Sequence, residues 1–408
     1  MNILFICNEY PPGKSGGIGS VTRTLARALV KSGQKVFVAG LYPPGYSEPD
    51  FEEDSGIKVW RRRLSVDVGI IKNNYSYLDT AILKLLSLSG AMRADVIKSF
   101  RAFNNFLITL IEKFDIDIIE WPDFNEYFHY LSADFSWPPL PVPLVIKFHG
   151  TTSYISKQLG ARVNANLYQV EKSHVDRAEG FIAVSKKTAN DYADLYNINN
   201  EIPTIYNAVD LHSCRYQWKG LQNTIVYAAA LTEGKGIYSL LKAWPIVLQN
   251  YPQAALTIFG KGRRRRLANL LDKDVKHSVA FRGFAPHEEV YKAMSTANAA
   301  IFPSYAESFA VAPLEAMAIG CPVIYTNRAS GPELVEPGIN GLLVDPDDSD
   351  SMANAMLQLL KNKETCRKFS IKARQVIEQR FSIDQSAVDH INLFSQILNK
   401  HAKARDRA

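Results

Sequence analysis

Residues 1–41 read MNILFICNEYPPGKSGGIGSVTRTLARALVKSGQKVFVAGL, and this stretch decides the fold class. The short apolar run from Ile3 to Cys7 predicts a buried strand, and a loop rich in proline and glycine follows it. Apolar residues at helical spacing then predict a helix that ends at Gly33, ahead of a second apolar strand. This order is typical of a β-α-β unit, whose two strands are parallel.

The same alternation continues along the chain and is interrupted once, by the turn-rich residues 207–223. Apolar runs predict further strands in DIDIIEW (115–121), LVIKFHG (144–150), GFIAVS (180–185), PTIYN (203–207), NTIVYAAAL (223–231), AALTIFGKG (254–262), SVAFRGF (278–284), AAIFPSY (299–305), PVIYT (322–326) and GLLVD (341–345). Continuous apolar strands that alternate with helices favour parallel sheets covered on both faces. We therefore predict an α/β fold with two Rossmann-like, doubly wound domains that face each other across a cleft. The expected boundaries are an N-terminal domain over 1–206, a C-terminal domain over 207–384, and a last helix, 385–408, that packs back on the N-terminal domain.

Composition and charge exclude several classes of protein. The 408 residues are 47% hydrophobic and 22% charged, which suits two or three globular domains. A net charge of +6 favours anionic small molecules or an acidic membrane surface, but it is too small for a nucleic-acid-binding face, so we expect no nucleic acid partner. Basic runs at 61–63 and 263–266 predict solvated helix ends or loops, with phosphate or lipid headgroup contact as the alternative.

The cellular setting is inferred from cysteine spacing and apolar runs. The four cysteines lack paired spacing and predict neither a zinc site nor disulfides: Cys7, Cys214, Cys321 and Cys366. No basic segment precedes the first apolar run, so it is interpreted as a strand and not as a signal peptide. No run approaches the roughly 18 to 20 apolar residues of a spanning helix. We expect a cytoplasmic protein, whose contact with the inner face of a membrane, if any, is peripheral.

The region from Leu78 to Phe114, rich in Leu, Ile and Phe, predicts a core-packed helix pair, with a membrane- or acceptor-binding surface as the alternative.

The loop PPGKSGGIGS, between the first strand and the first helix, could bring backbone N–H groups to an anion at a helix N-terminus. It lacks the dinucleotide fingerprint, because Thr22 stands where the third glycine belongs, and the P-loop signature is also missing. A tight structural turn is as well supported as a ligand contact.

Two acids, Glu307 and Glu315, lie eight positions apart in the otherwise apolar ESFAVAPLE. Pro313 predicts the first turn of a helix that contains Glu315, and Gly320 predicts its end. An ionised carboxylate only accepts hydrogen bonds, so the acids would suit hydroxyl groups such as a ribose diol or a sugar ring. Backbone amides of the loop that leads into the helix would face a diphosphate, namely those of Phe309, Ala310 and Val311. The alternative is that Glu315 only stabilises its own helix.

At this point the chain resembles a known family. ESFAVAPLEAMAIGCPVIYTN followed by GPELVEPGINGLLVDPDD is similar to the donor-site signature of the retaining, nucleotide-sugar-dependent glycosyltransferases of the GT-B fold, family 4 (glycosyl transferases group 1). Motifs in the same order cover nearly the whole chain, including FHG at 148–150, VSKKT at 184, IYNAVD at 205, LTEGKG at 231 and RGF at 282.

The resemblance implies a role for each matching position. Glu315 would bind the ribose hydroxyls, while Glu307 and the amides after it would hold the transferred sugar. Lys235 would neutralise the departing diphosphate, and His149 would contact the sugar from the N-terminal domain. Gly16 and Gly17 would approach the phosphate or the acceptor, and Gly283 belongs to the donor-binding set. No metal or other cofactor is implied.

Three departures from the family pattern concern the donor site. Ala230 stands where the family usually has an arginine that partners Lys235 on the phosphates, and an arginine of the run 263–266 could replace it. Ala310 replaces the usual glycine, and a glycine pair has become Ser330-Gly331.

The resemblance implies transfer of a hexosyl group from a UDP- or GDP-sugar to an acceptor hydroxyl, with retention at the anomeric carbon. The expected setting is bacterial surface polysaccharide or glycoconjugate biosynthesis, with a glycan or lipid-linked glycan as acceptor. Three alternatives stay open: a nucleotide-sugar 2-epimerase of the same fold, a non-catalytic sugar-nucleotide-binding protein, and a metal-dependent transferase that uses Asp115 and Asp117 as a ligand pair.

Overall fold

The computed structural model describes residues 1–13, 16–43, 45–64, 91–212, 214–220 and 222–405. The chain forms two compact units. The first comprises 1–184, 189–205 and 386–408, and the second comprises 185–188 and 206–385.

The first unit is built on a seven-stranded sheet. Its strands are β1 (Asn2–Ile6), β2 (Lys35–Tyr42), β3 (Phe51–Asp54), β4 (Ile57–Arg63), β5 (Ile118–Pro122), β6 (Leu144–Phe148) and β7 (Gly180–Ala183). They lie in the order β3-β4-β2-β1-β5-β6-β7, and every neighbouring pair is parallel except β3 with β4. The helices before residue 200 are α1 (Gly17–Lys31), α2 (Ala91–Phe114), α3 (Thr152–Gln158), α4 (Ala165–Val175) and α5 (Lys186–Tyr196), and a 3₁₀ turn spans Glu126–Tyr130.

The second unit is built on a six-stranded, all-parallel sheet. Its strands are β8 (Thr224–Ala228), β9 (Ala255–Phe259), β10 (Val279–Gly283), β11 (Ala299–Phe302), β12 (Val323–Thr326) and β13 (Leu342–Val344), in the order β10-β9-β8-β11-β12-β13. The remaining helices are α6 (Ile237–Asn250), α7 (Arg264–Ala268), α8 (Lys273–Lys276), α9 (His287–Thr296), α10 (Val311–Ile319), α11 (Gly331–Leu334), α12 (Ser349–Lys361), α13 (Lys363–Arg380) and α14 (Ile383–Arg405). A 3₁₀ turn spans Glu233–Lys235.

Both sheets have the strand order of the doubly wound fold, apart from the added edge strand β3. The predicted α/β class with two parallel-sheet domains is therefore confirmed. In such a sheet the direction of winding reverses at one point, which here lies between β1 and β5 in the first unit and between β8 and β11 in the second. Ligands of this fold bind beyond the carboxyl ends of the strands at that point.

Each unit buries its own apolar core. In the first, α2 contributes Phe100, Phe103, Leu107 and Leu110, all at most 3% exposed, to the cluster under the sheet. The core-packed interpretation is therefore correct for residues 91–114. The rest of the region from Leu78, up to residue 90, lies outside the described residues. Within the described part of the chain, no helix combines the length and apolarity needed to cross a membrane.

Two local predictions are wrong. The basic run 61–63 is not a solvated loop, because it ends the strand β4, where Arg61 is fully buried, pairs with Glu52 and donates to the Pro49 carbonyl oxygen at 3.2 Å. Residues 203–207 do not form a strand. They make one bridge, Ala183 with Thr204, beyond the edge strand β7, and the chain then leaves the sheet edge for the second unit.

Residues of α14 from Ser386 onward contact the first sheet through a buried polar cluster. Lys147 Nζ lies 3.0 Å from His390 Nε2 and 3.8 Å from Glu120 Oε1, and all three side chains are nearly inaccessible. Burial holds the pKa of His390 well below its usual range, so the neutral imidazole accepts a hydrogen bond from the lysine. This contact attaches the last helix to β5 and β6.

Candidate active site

The loops after β8 and β11 bring two predicted site residues together at the switch point of the second sheet. Lys235 Nζ donates to Glu307 Oε1 at 2.7 Å, and the Ser304 hydroxyl donates to the same oxygen at 2.9 Å. The lysine side chain is 33% exposed and the glutamate side chain 12%. The pair therefore lies at the position where this fold binds ligands, and the lysine is partly exposed to solvent.

A glycine makes this approach of the two loops feasible. Gly236, directly after Lys235, has φ 71°, and a Cβ placed on it would lie 1.8 Å from the carbonyl oxygen of Pro303. Only glycine combines that conformation with so close a backbone contact. The local sequence LTEGKG thus sets the distance between the lysine and the loop that carries Glu307.

The helix predicted in ESFAVAPLE is present, but one detail of the prediction is wrong. The helix α10 begins at Val311 and ends before Gly320, whose φ of 85° provides the expected stop. Glu315 is therefore the fifth residue of the helix and not part of its first turn. Pro313 fits at the third position, because the first amides of a helix have no intrahelical partner. The positive end of the helix dipole, which acts over the first turn, does not explain Glu315.

Glu315 instead contacts the neighbouring helix α9. Its Oε1 lies 3.4 Å from His287 Nδ1, and the hydroxyl of Tyr291 also interacts with it. The hydrogen bond to Glu315 raises the pKa of His287, and burial only partly opposes this. Neither partner was predictable from the sequence, since nothing in the pattern of α9 distinguishes them from ordinary surface positions.

The residues between the two acids have separate roles. The Phe309 ring is 4% exposed and packs against Tyr206 and Phe381, at centroid distances of 5.0 Å and 5.5 Å. Its carbonyl oxygen accepts from Asn207 Nδ2 at 2.8 Å. Ala310 precedes the first residue of α10, Val311, and caps it without a side-chain hydrogen bond. The ring of Phe309 is thus a core group, and this residue can serve a ligand only through its backbone amide.

The basic run 263–266 lies at the same edge of the second sheet as Ala230. The amide of Leu231 donates to the Lys261 carbonyl oxygen at 2.8 Å, which joins the loops after β8 and β9. Arg264 packs against Gly283 at the end of β10, where a Cβ would meet its Nη1 at 2.7 Å. The guanidinium of Arg264 is therefore next to a predicted donor-binding glycine.

In the first unit, His149 follows β6 and is held by a buried acid that the sequence analysis did not identify. Asp123 Oδ1 accepts from the amide of His149 at 2.8 Å, Asp123 Oδ2 accepts from the amide of Gly150 at 3.2 Å, and the Tyr192 hydroxyl also donates to Oδ2. Burial raises the pKa of Asp123 to about 6 against the opposing effect of these hydrogen bonds. Burial also keeps the pKa of His149 well below its usual range, so its imidazole is neutral at pH 7.

The N-terminus of α1 is occupied by a carboxylate from the chain itself. Glu9 Oε1 accepts from the amide of Gly19 at 2.9 Å, and a Cβ on Gly16 would lie 2.7 Å from Glu9 Oε2. Gly17 is exposed, and a Cβ there would meet no described atom within 4 Å. Of the two predicted glycines, Gly16 packs on Glu9, and Gly17 alone offers open backbone.

Asp115 and Asp117, the ligand pair of the metal-dependent alternative, lie at the edge of the sheet opposite to the ligand-binding edge. Asp117 Oδ2 accepts from the amide of Asn2 at 2.7 Å, and the Asp115 carbonyl oxygen accepts from Asn2 Nδ2 at 2.9 Å. Both acids precede β5, at the amino ends of the strands, and they tie this end of β5 to β1. Their contacts give the hypothesis of a metal-dependent transferase no support.

Comparisons with known proteins agree with this architecture. Residues 15–213 match Glycosyltransferase Family 4, and residues 212–376 match Glycosyl transferases group 1. An uncharacterised glycosyltransferase from Methanocaldococcus jannaschii is 24% identical over 97% of this chain and 98% of its own length. Sucrose-phosphate synthase from Thermosynechococcus elongatus superimposes with a TM-score of 0.75 at 20% identity, over 98% of this chain and 99% of that one. The Anabaena protein HepE, crystallised with UDP and glucose, does so with a TM-score of 0.67 at 18% identity, over 97% of this chain and 100% of that one. The chain belongs to glycosyltransferase family 4 and is a GT-B glycosyltransferase.

Proposed function

We propose that this glycosyltransferase moves a hexosyl group from a UDP- or GDP-sugar to an acceptor hydroxyl, with retention at the anomeric carbon. The family resemblance favours a product in bacterial surface polysaccharide or glycoconjugate biosynthesis. HepE was crystallised with UDP-glucose, so UDP-glucose is the first donor to test.

The observation that carries the proposal is the pairing of Lys235 with Glu307 at the switch point of the second sheet. The lysine cation and the glutamate acceptor lie side by side, and a sugar diphosphate likewise joins an anionic diphosphate to a sugar that donates hydrogen bonds. The lysine would face the diphosphate, and the glutamate would accept from sugar hydroxyls. Glu315, on the next helix, would take the ribose hydroxyls after exchanging its contact with His287.

In the proposed transfer, the bond between the anomeric carbon and the diphosphate oxygen breaks first. Positive charge then grows on the sugar ring and negative charge on the diphosphate, which Lys235 and the amides at the start of α10 would stabilise. Arg264, beside Gly283, would supply the cation that Ala230 does not. Glu307 already accepts from Lys235 and Ser304, so we assign it to sugar binding and not to nucleophilic attack. The acceptor hydroxyl would then attack from the face that the diphosphate leaves, with its proton passing to the departing phosphate.

Asp123 would act in this scheme as a positioning residue. Its carboxylate holds the amides of His149 and Gly150, so the neutral imidazole would be presented to the sugar in one orientation.

Because protein cations would neutralise the leaving group, we propose that no metal is required. Transfer that persists after EDTA treatment and dialysis would support this, and its loss with recovery on adding Mg²⁺ would refute it.

The decisive experiment measures donor binding and products separately. Thermal shift and calorimetry should detect binding of UDP or GDP. Glu315→Ala should weaken this binding at least tenfold. Replacing Glu378, an exposed acid on the helix α13, by alanine is the control and should leave it unchanged. Binding that is identical in the wild type and Glu315→Ala would contradict the assignment.

Product analysis separates the remaining alternatives. Incubation with UDP-glucose and acceptor pools should release UDP only when an acceptor is present. A 2-epimerised sugar nucleotide formed without acceptor would identify an epimerase. Tight nucleotide binding with no turnover on any acceptor would identify a binding protein.

A further inference from the structure

The peptide group that joins Ser308 to Phe309 is held from one side by buried hydroxyl groups. The Ser185 hydroxyl donates to the Ser308 carbonyl oxygen at 3.0 Å, and the Thr188 hydroxyl lies 3.3 Å from the same oxygen. Both hydroxyl-bearing residues are fully buried. They lie at the start of the helix α5, in the motif VSKKT, and they belong to the second unit, as does the loop that carries Ser308. The proposed reaction assigns no role to this motif.

The neighbouring hydrogen bonds indicate where the hydroxyl protons point. Ser185 Oγ accepts from the amide of Thr188 at 3.0 Å and lies 2.7 Å from the Thr188 hydroxyl oxygen. A serine hydroxyl has one proton and two lone pairs, and the amide and hydroxyl of Thr188 can fill both lone pairs. The proton of Ser185 is then directed to the Ser308 carbonyl oxygen, which is the shorter of the two contacts. Thr188 thus orients Ser185, and Ser185 orients the peptide group.

The start of α5 is a rigid support for these two hydroxyls. The carboxylate of Glu333, in α11, accepts from the amide of Lys186 at 2.9 Å and from the amide of Lys187 at 2.8 Å. The first amides of the helix are therefore bonded to a fixed acceptor in the same unit. Side chains on such a supported helix position a group more precisely than side chains on a loop.

Holding the Ser308 carbonyl oxygen also directs the amide of Phe309. This peptide is trans, so its C=O and N–H bonds are nearly antiparallel, and the Phe309 N–H is aimed away from α5. Among the residues that the structure describes, no protein group accepts from this amide. Phe309 is 4% exposed, and an unbonded amide in such a position is destabilising unless a ligand accepts from it.

The surroundings of the Phe309 amide favour an anion as that acceptor. Along the chain, Phe309 lies between Glu307, which is paired with Lys235, and Val311, where α10 begins. The start of α10 adds the positive end of a helix dipole. Preorganised N–H groups in such a place stabilise negative charge that develops on a leaving group.

We propose that Ser185, supported by Thr188, is a positioning residue of the donor site, and that it aims the Phe309 amide at the outer phosphate of the nucleotide diphosphate. Neither hydroxyl touches the donor. This inference rests on the proposed function, which it deepens by assigning the residues that orient the diphosphate-binding backbone. Binding of the outer phosphate then depends on these two hydroxyls, whereas binding of the ribose depends on Glu315.

The test compares the affinities of UDP and UMP, measured by calorimetry on the full chain, because these probes differ only in the outer phosphate. The wild type should bind UDP at least about tenfold more tightly than UMP. Ser185→Ala and Thr188→Val should each weaken UDP binding by about fivefold or more and change UMP binding by less than about twofold. Their kcat for UDP release should also fall. Thr188→Ser, which keeps the hydroxyl, should behave like the wild type in both measurements. GDP and GMP replace these probes if the protein binds GDP and not UDP.

The control is Ser278→Ala. Ser278 is also buried and its hydroxyl donates to the Val275 carbonyl oxygen at 2.7 Å, but it precedes β10 at the opposite edge of the second sheet. Its replacement should lower the urea midpoint without changing the ratio of UDP to UMP affinity. If Ser185→Ala does not fold, the comparison of Thr188→Val with Thr188→Ser decides the question.

The inference is overturned if Ser185→Ala and Thr188→Val keep the wild-type ratio of UDP to UMP affinity. It is also overturned if these variants lose affinity for both nucleotides equally, as expected of Glu315→Ala. If the wild type binds neither UDP nor GDP, the proposed function fails, and inorganic pyrophosphate becomes the probe. Weaker pyrophosphate binding to Ser185→Ala than to the wild type would then support the inference, and equal binding or none would overturn it.

Discussion

Replacing Lys235 by alanine should reduce turnover far more than folding stability. Lys235 Nζ lies 2.7 Å from Glu307 Oε1, but the lysine side chain is 33% exposed, so solvent screens the pair. Partly exposed ion pairs contribute about 1 kcal/mol or less, and Glu307 retains the Ser304 hydroxyl at 2.9 Å. In the reaction the lysine would face the departing diphosphate, and loss of one preorganised stabilising group typically costs about 100- to 1,000-fold in kcat, or about 3–4 kcal/mol.

The assay measures UDP release with a glycan acceptor, and urea denaturation measures the free energy of unfolding. Lys242→Ala, an exposed lysine on the helix after the active-site turn, is the control and should change neither quantity. Because Lys235 and Glu307 would act as a unit, the double alanine variant should lose little more activity than the worse single variant. A folded Lys235→Ala enzyme with kcat within threefold of the wild type would refute the reasoning. A loss of more than about 3 kcal/mol in unfolding free energy would show that the lysine is structural.

Three further predictions concern other parts of the site. Gly236→Ala, with φ of 71° and a Cβ 1.8 Å from the Pro303 carbonyl oxygen, should lower the free energy of unfolding by about 2 kcal/mol or more, and an unchanged urea midpoint would contradict this. UDP should bind more weakly as the pH falls through the raised pKa of His287, because the imidazolium then competes with the ribose for Glu315. In calorimetry, the UDP affinity of His287→Gln should not change with pH over this range. The pKa of Asp123 is raised from 3.8 to about 6, so the wild-type free energy of unfolding should fall as pH rises across that interval. The Asp123→Asn variant should lack this fall in the free energy of unfolding. At low pH it should be about 1–3 kcal/mol less stable than the wild type, because its side-chain amide does not match the backbone amides that Asp123 accepts from. Urea midpoints with the same pH profile in both proteins would show that Asp123 does not titrate in this way.

Local pattern was sufficient for several helices and strands. The strand β1, the helix α1 and the helix α10 with its stop at Gly320 were all predictable, because apolar periodicity and helix-end residues act over a few positions. The start of α10 shows the limit of such signals. Proline is tolerated throughout the first turn, so Pro313 did not reveal that the helix begins two residues earlier.

Side-chain partners were much less predictable. Asp123 and His149 lie 26 positions apart, and they meet because β5 and β6 are neighbours in the sheet. His287 and Glu315 are on different helices, and neither has an unusual local pattern. Arg61 looked like a surface residue because its compensating acid, Glu52, belongs to a charged edge strand that the apolar pattern does not reveal.

By itself, the sequence determined the α/β class, the alternation of strands and helices, and the family, because these follow from hydrophobic periodicity and from motifs that are continuous in the chain. Only the tertiary structure decided that Lys235 pairs with Glu307 and that Glu9 occupies the N-terminus of α1. The physical reason is that hydrogen bonds and ion pairs act over about 3 Å in space. Which residues come that close depends on the order of strands in the sheet and not on their separation along the chain.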